Sequence, residues 1–393
     1  MKIVIVHNTY QHPGGEDVAV AAESNLLERR GHTVIRYSRS NDEMAMISAP
    51  RRLLMVKDMI HSEKSKREML DLLRNERPDL VHVHNTFMMV SPSVFEACRE
   101  AGIPVVQTLH NYRLLCPGWS LCREGKVCEE CIESGLWRGV WHGCYRDSRL
   151  MTAAVALMLQ VHRMRGTWSH DVGGYVALTN FARDKFIEGG LPASRIGVKP
   201  NFLESDPGKR SSSGGFALFV GRLSAEKGAE VVLEAWQKLK GTIPLVIMGD
   251  GPLREPLESE AAARNLSNVT FAGWRSRGEI LSAMKSASLL VTPSLWYEGF
   301  PMTVVEAFAC GIPVICSRLG GLREIVEDGS TGLHFNPGDA EDLAGKLDLL
   351  WTQPSQLAAM GRAAREEYKR SYTAERNYEL MMQIYARTMA VCN

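Results

Sequence analysis

The chain has 393 residues, 45% hydrophobic and 23% charged, which is ordinary for a soluble globular protein and gives core enough for two or three domains. Its 46 basic and 45 acidic side chains nearly cancel, which excludes a global electrostatic grip and leaves nucleic acid outside the expected partners. No apolar run approaches a membrane span, Ile3 to Val6 is too short for a secretory leader, and an odd nine cysteines point to reduced thiols in the cytoplasm.

Ile3 to Val6 reads as a buried strand, followed by Gly14-Gly15-Glu16 and an apolar-periodic helix that ends at Gly31. With a second strand at Val34 to Tyr37 this makes a βαβ unit and so a parallel sheet. The glycine pair would let backbone approach a ligand, although a plain turn explains it equally well. Ser40 to Arg77 reads as helical. Asp79 to His84 and Pro104 to His110 are further strands, separated by a helix from Ser91-Pro92 to Gly102. His110 falls at the carboxyl end of its strand, where open α/β sheets bind ligands. His84 reads as a buried histidine.

The loop after His110 carries Cys116, Cys122, Cys128, Cys131 and Cys144. Cys128-Glu-Glu-Cys131 has the gap of a zinc knuckle, and Cys116 and Cys144 could complete a structural four-thiolate site. Free thiols in a loop are the other reading. From Leu136 to Trp168 five arginines (138, 146, 149, 163 and 165) accompany Trp137, Trp141 and Trp168 around an apolar helix, Leu150 to Val161. That mixture suits an anionic membrane surface, and a core helix with a solvated basic rim accounts for it as well. A strand at Gly174 to Leu178, a helix capped by Thr179-Asn180, and Val198 to Phe202 complete this half.

Ser205 to Gly215 is the best linker in the chain. Phe216 to Val220 opens a second sheet, and Arg222 and Lys227 lie in the loop that this strand delivers to the ligand edge, where two cations suit a diphosphate. Leu245 to Met248 leads into Gly249-Asp250-Gly251-Pro252, and Val269 to Phe271 precedes Gly273-Trp274, whose backbone could meet a base edge. After the strand Leu289 to Val291, Glu298 sits on a loop, Gly299 and Pro301 make a turn, and a helix carries Glu306 until Gly311 stops it. The free N–H groups around Phe300, Met302 and Thr303 form an anion site flanked by two carboxylates. Carboxylates repel phosphate, so they imply sugar hydroxyls beside it, and a nucleotide sugar has both. Helices fill the remainder, the last from Ala374 to Ala390.

At Arg222, Lys227, Gly249 to Pro252 and the Glu298–Glu306 pair, the chain resembles the retaining glycosyltransferases of family 4, over nearly its whole length. Gly14-Gly15-Glu16, His110, Pro200-Asn201 and Gly221-Arg222-Leu223 fit the same pattern. Asn201-Phe202 and His110-Asn111 depart from the family's common Asn-Gly and His-Asp, and a subgroup with a cysteine-bearing loop looks similar. The resemblance implies the α/β GT-B fold, two facing Rossmann-like domains with parallel sheets and a last helix that crosses back. The expected division is 1–203 on the acceptor side with the cysteine loop 116–144, 204–372 for the donor, and 373–393 packing on the first domain.

By the same resemblance Arg222 and Lys227 would neutralise the donor diphosphate, helped by the helix N-terminus. Glu306 would take the ribose hydroxyls and Glu298 the sugar. The backbone of Trp274 and Arg275 would meet the base, Gly15 would approach the phosphates, and His110 would line the far side of the sugar. Asn201, Gly249, Gly251, Gly299 and Pro301 complete the donor set. The implied activity is transfer from a UDP- or GDP-sugar to a glycan or lipid-linked acceptor in envelope polysaccharide, lipopolysaccharide or glycolipid assembly. No catalytic cofactor is required, a structural zinc is allowed by the cysteines, and the place of work is the cytoplasm or the inner face of the membrane. A nucleotide-sugar epimerase of the same fold and a metal-binding interaction protein with a degenerate site are the competing expectations.

Overall fold

The computed structural model describes residues 1–11, 14–46, 56–210 and 214–392. It divides into two compact units. The first holds residues 1–121, 129–204 and 374–393, and the second holds 122–128 and 205–373.

In the first unit the strands are β1 (Lys2–Thr9), β2 (Thr33–Ser40), β3 (Leu80–Val83) and β4 (Val105–Leu109). A two-residue hairpin follows, β5 (Cys122–Arg123) and β6 (Lys126–Val127), which groups with the second unit. β7 (Gly174–Ala177) and β8 (Ile196–Val198) complete the first sheet. Its six strands lie in the order β2-β1-β3-β4-β7-β8, all parallel. Every residue of β3, β4 and β7 is buried, the polar His82, Gln107 and Thr108 included, as the central strands of a parallel sheet tend to be. The order reverses between β1 and β3, so their carboxyl ends flank the crevice where such sheets take ligands.

The last helix, Ala374–Cys392, belongs to this unit. Met381, Ile384 and Tyr385 pack among Ile3, Ile5, Val106 and Val176. Tyr385 Oη lies 2.7 Å from His82 Nδ1, and Asn377 donates to the Pro200 carbonyl at 2.7 Å. The expected interfacial stretch divides here. Trp168 is a core residue, 6% exposed and edge-on to Phe95, so it leaves the membrane reading. Trp137 and Trp141 stay in solvent.

The second unit contains β9 (Ala217–Val220), β10 (Leu245–Met248), β11 (Val269–Gly273), β12 (Leu289–Thr292), β13 (Val314–Ser317) and β14 (Gly332–Phe335). Their order is β11-β10-β9-β12-β13-β14, again all parallel. This is the doubly wound Rossmann order, and its switch point lies between β9 and β12. The core wraps Trp236, whose indole N–H donates to the Ile243 carbonyl at 2.8 Å, with Phe219, Ile247, Leu343 and Leu347 around it. The linker is anchored at its start, because Arg365 pairs with Asp206 and Arg210 Nη1 donates to the Ala287 carbonyl at 2.8 Å.

Candidate functional site

Both loops at the second sheet's switch point carry charge. β9 runs into Gly221-Arg222 and a short turn, Ala225–Lys227, and β12 runs into Ser294 to Pro301. The two loops are tied by a backbone bond from Leu295 N to the Glu226 carbonyl at 2.8 Å. Lys227 Nζ then reaches Glu298 Oε1 and Oε2 at 2.7 and 2.9 Å. Ser294 Oγ donates to Glu298 Oε1 at 2.6 Å. Burial alone would raise the Glu298 carboxyl, but Lys227, Ser294 and Trp296 outweigh it and hold the group below its ordinary range. It is an ionised carboxylate, 8% exposed, beside an ammonium that is 26% exposed. Arg222 extends into solvent.

The helix Met302–Cys310 starts directly after this loop, with Pro301 as its N-cap and no side chain capping its first turn. Its early N–H groups therefore remain available to an anion. Met302 and Thr303 are half-buried there, as are Gly299 and Phe300, while Pro301 is buried. Gly311 ends the helix in the left-handed region at φ 71°, which a glycine adopts without strain. Glu306, one turn in, is buried, and its carboxyl is raised by burial and partly restored by Arg277, whose Nε lies 3.0 Å from Oε1. Arg277 is absent from the sequence reading. The capping box of its helix, Ser276 with Glu279, was the signal that could have placed it beside the β11 loop.

Gly249 and Gly251 follow β10. A Cβ at Gly249 would stand 1.8 Å from the Gly221 carbonyl oxygen, and one at Gly251 2.4 Å from that of Leu223. Only glycine lets these two loops lie in contact. Trp274 is 71% exposed just past β11, and Arg275 is exposed beside it.

The other expected residues belong to the first unit. Gly15 is the first residue of the helix Gly15–Arg29, with open space about its Cα, and Asn201 is buried just after β8. His110 follows β4 and lines a cavity of about 50 Å³ with His84, Phe87, Arg113, Leu159 and Trp168. His84 Nδ1 and His110 Nε2 share a hydrogen bond of 2.9 Å, with the rings stacked 5.2 Å apart. Beside them His7 Nε2 meets Asp17 Oδ1 at 2.8 Å, and Tyr10 donates to Glu16 Oε2 at 3.1 Å. Beneath lies an ion pair with almost no exposure, Lys199 Nζ to Glu23 Oε1 at 2.5 Å. Glu23, His82 and His84 bring ligand atoms within 4.8 Å of one another. Lys199 already balances the carboxylate, and both His82 nitrogens are engaged, by Tyr385 and Thr108 at 2.7 Å each. The trio is thus a charge-balanced polar core.

Cys116, Cys131 and Cys144 lie in the first unit, whereas Cys128 ends the hairpin of the second. The Cys131 thiol donates to Cys116, which that bond draws down to about 7, while Cys131 is pushed up. Among the described residues of the first unit, no third histidine, cysteine or carboxylate joins this pair as a metal-ligand set.

These groups give the first unit a pH signature. Burial holds His82 and His84 well below the ordinary 6.5 and His110 at about 3, so all three fold neutral. Below about pH 6.5 the unfolded chain takes up their protons and the folded chain does not, so stability falls as pH falls. Glu16 runs the other way. Burial pushes its carboxyl to about 8, so the folded chain keeps a proton that the unfolded chain has lost, and stability falls as pH rises from about 4.5 to 8. Scanning calorimetry should therefore show this unit most stable near pH 6.5, and Glu16→Gln should remove the decline on the alkaline side. A flat midpoint from pH 7 to 5 contradicts the neutral histidine core.

Comparison with known proteins finds a family model for each unit. The family model "Glycosyltransferase Family 4" matches residues 13–206, and "Glycosyl transferases group 1" matches residues 204–367. The glycosyltransferase MJ1178 of Methanocaldococcus jannaschii, itself uncharacterized, is 36% identical over 39% of this chain, which spans 43% of its length. Glycogen synthase of Mycobacterium tuberculosis is 27% identical over 79% of this chain and 69% of its own. Anabaena Alr3699/HepE, solved in complex with UDP, matches 98% of this chain and 99% of its own with a TM-score of 0.68 at 18% identity, a likeness of fold.

Proposed function

The chain belongs to glycosyltransferase family 4, and we propose that it moves a sugar with retention from a UDP- or GDP-sugar to a glycan or lipid-linked acceptor in envelope polysaccharide, lipopolysaccharide or glycolipid assembly. The observation that carries this reading is the meeting of Lys227 and Glu298 at the β9/β12 switch point, next to an uncapped helix N-terminus. The fold neighbour that holds UDP supports a nucleotide donor.

In this reading Lys227, Arg222 and the first N–H groups of the helix Met302–Cys310 receive the diphosphate. Charge builds on that leaving group as the glycosidic bond breaks, so cations fixed beforehand lower the barrier most. Glu298, kept ionised by Lys227, accepts from donor-sugar hydroxyls and orients the anomeric carbon. Glu306 accepts from the ribose, with Arg277 beside it. The backbone at Trp274 and Arg275 meets the base. Retention follows if the acceptor attacks on the face the phosphate leaves, with the departing phosphate taking the acceptor's proton. His110 and Gly15 are the first unit's own candidates for ligand contact, at the carboxyl end of β4 and at the start of the helix Gly15–Arg29. The intact, paired carboxylates and cations argue against a degenerate site.

The test is a screen of UDP- and GDP-sugars for release of nucleoside diphosphate in the presence of glycan and lipid-linked acceptors. One donor is expected to give acceptor-dependent release. Conversion of the donor sugar without acceptor points instead to epimerase chemistry.

A further inference from the structure

The helix Arg149–Met164 has two apolar faces. Val155, Ala156, Met158 and Leu159 turn into the first unit's core. On the other side Leu150 is 82% exposed, Leu157 51% and Met164 72%. Their seven-residue spacing sets them in one stripe along the helix. Just before it, the helix Trp137–His142 holds Trp137 and Trp141 four residues apart, 56% and 61% exposed. The Arg149 guanidinium lies 5.5 Å from the Trp141 ring, which joins the tryptophans to the start of the stripe. Large exposed apolar side chains this close together mark a surface that meets something.

The charge says what that is. The helix Arg149–Met164 contains no acidic residue. Arg146, Arg149 and Arg165 are exposed, and none has a carboxylate partner among the described residues. Glu130 is taken by Arg138 at 3.1 Å and His142 at 3.5 Å, which leaves Asp147 as the loose acid of the segment. A second copy is a poor partner for such a face, because parallel pairing sets Arg149 against Arg149 and antiparallel pairing sets it against Arg165. No helix of the described residues is long and apolar enough to cross a membrane. Tryptophans, an apolar stripe and free arginines are what an interfacial helix inserts among acyl chains while it pairs with anionic headgroups.

We propose that this face docks the protein on an anionic phospholipid surface, through Trp137, Trp141, Leu150, Leu157 and Met164, with the arginines on the headgroups. Docking is independent of which donor the enzyme uses, so its failure and the failure of the transfer reading are separable.

The experiment is flotation of the full chain with phosphatidylcholine vesicles, with and without phosphatidylglycerol. The protein should float with the anionic vesicles at about 0.02 M salt and be released by about 0.5 M, where screening shortens to a few ångströms. Leu157→Asp combined with Met164→Asp should lower the bound fraction at least about tenfold, since two apolar anchors are lost. Both positions are exposed, so an unchanged thermal midpoint confirms that the variant folds. Arg149→Glu should weaken binding at low salt only. Failure of the wild type to float at low salt overturns the proposal, as do equal binding to neutral vesicles and equal flotation of the double variant. Self-association abolished by the double variant, without flotation, assigns the face to a second copy instead.

Discussion

Lys227→Ala is expected to lower turnover by about 10²- to 10³-fold, because it removes a positioned cation from the place where charge develops on the leaving group. Arg222→Ala should lower it in the same direction without a folding penalty, since the side chain is exposed and surface changes of this kind alter stability by only about 0.5 kcal/mol. Glu298→Ala loses a charged hydrogen-bond acceptor that is worth about 1.5–3 kcal/mol, or roughly 10- to 100-fold in rate. It also strips Lys227 of its partner at 2.7 Å, so the ammonium is free to bind phosphate more tightly. The variants should therefore part: Lys227→Ala weakens nucleoside diphosphate binding, whereas Glu298→Ala spares it and loses the sugar. Steady-state kinetics with circular dichroism as the folding control reads all three. Wild-type turnover in Lys227→Ala and Glu298→Ala would remove both residues from the site.

The second large effect lies far from the chemistry. Lys199 and Glu23 are 0% and 1% exposed and separated by 176 residues in sequence. Lys199→Ala leaves the Glu23 charge buried, 4.0 Å from His84 Nε2. Breaking a buried pair from one side costs about 3–5 kcal/mol. That is roughly 6–20 °C in the melting temperature of a unit this size. Replacing both, Glu23→Leu with Lys199→Met, should recover most of the loss, because an apolar pair of similar volume pays no desolvation. Urea unfolding of the two single variants and the double closes the cycle. Additive losses in the double variant would mean that the two side chains are not coupled.

Much of this architecture could be read in the sequence, for a definite reason. β10 and the first three residues of β12 are short continuous apolar runs, β3 and β4 are mostly apolar, and all are bounded by glycine, proline or charge, as strands buried on both faces tend to be. Leu245 to Met248 is found as read, and the stretch around Glu298 and Glu306 keeps its strand–loop–helix order because both residues are local to it. Pairings over long separations were invisible. Nothing near Lys199 points to Glu23, nothing near Arg277 points to Glu306, and nothing near His82 points to Tyr385. Val18 belongs to the apolar pattern of the helix Gly15–Arg29, yet 49% of it faces solvent. Composition carries no direction, so nothing in the sequence separates Trp168 from its exposed neighbours, whereas its contacts with Phe95 and His162 show that it turns inward. The reading of Ser40 to Arg77 meets the structure in part: the helix Glu63–Glu76 is present, and residues 47–55 lie outside the described part of the chain.

The central claim is that a nucleoside diphosphate is held at the second sheet's switch point by Lys227. Calorimetric titration of UDP and GDP into the wild type and Lys227→Ala tests it most directly. One of the two nucleotides should bind the wild type at least about tenfold more tightly than the variant, the value of about 1.4 kcal/mol for one charge-assisted contact. Equal affinity in both proteins, for both nucleotides, would contradict the account.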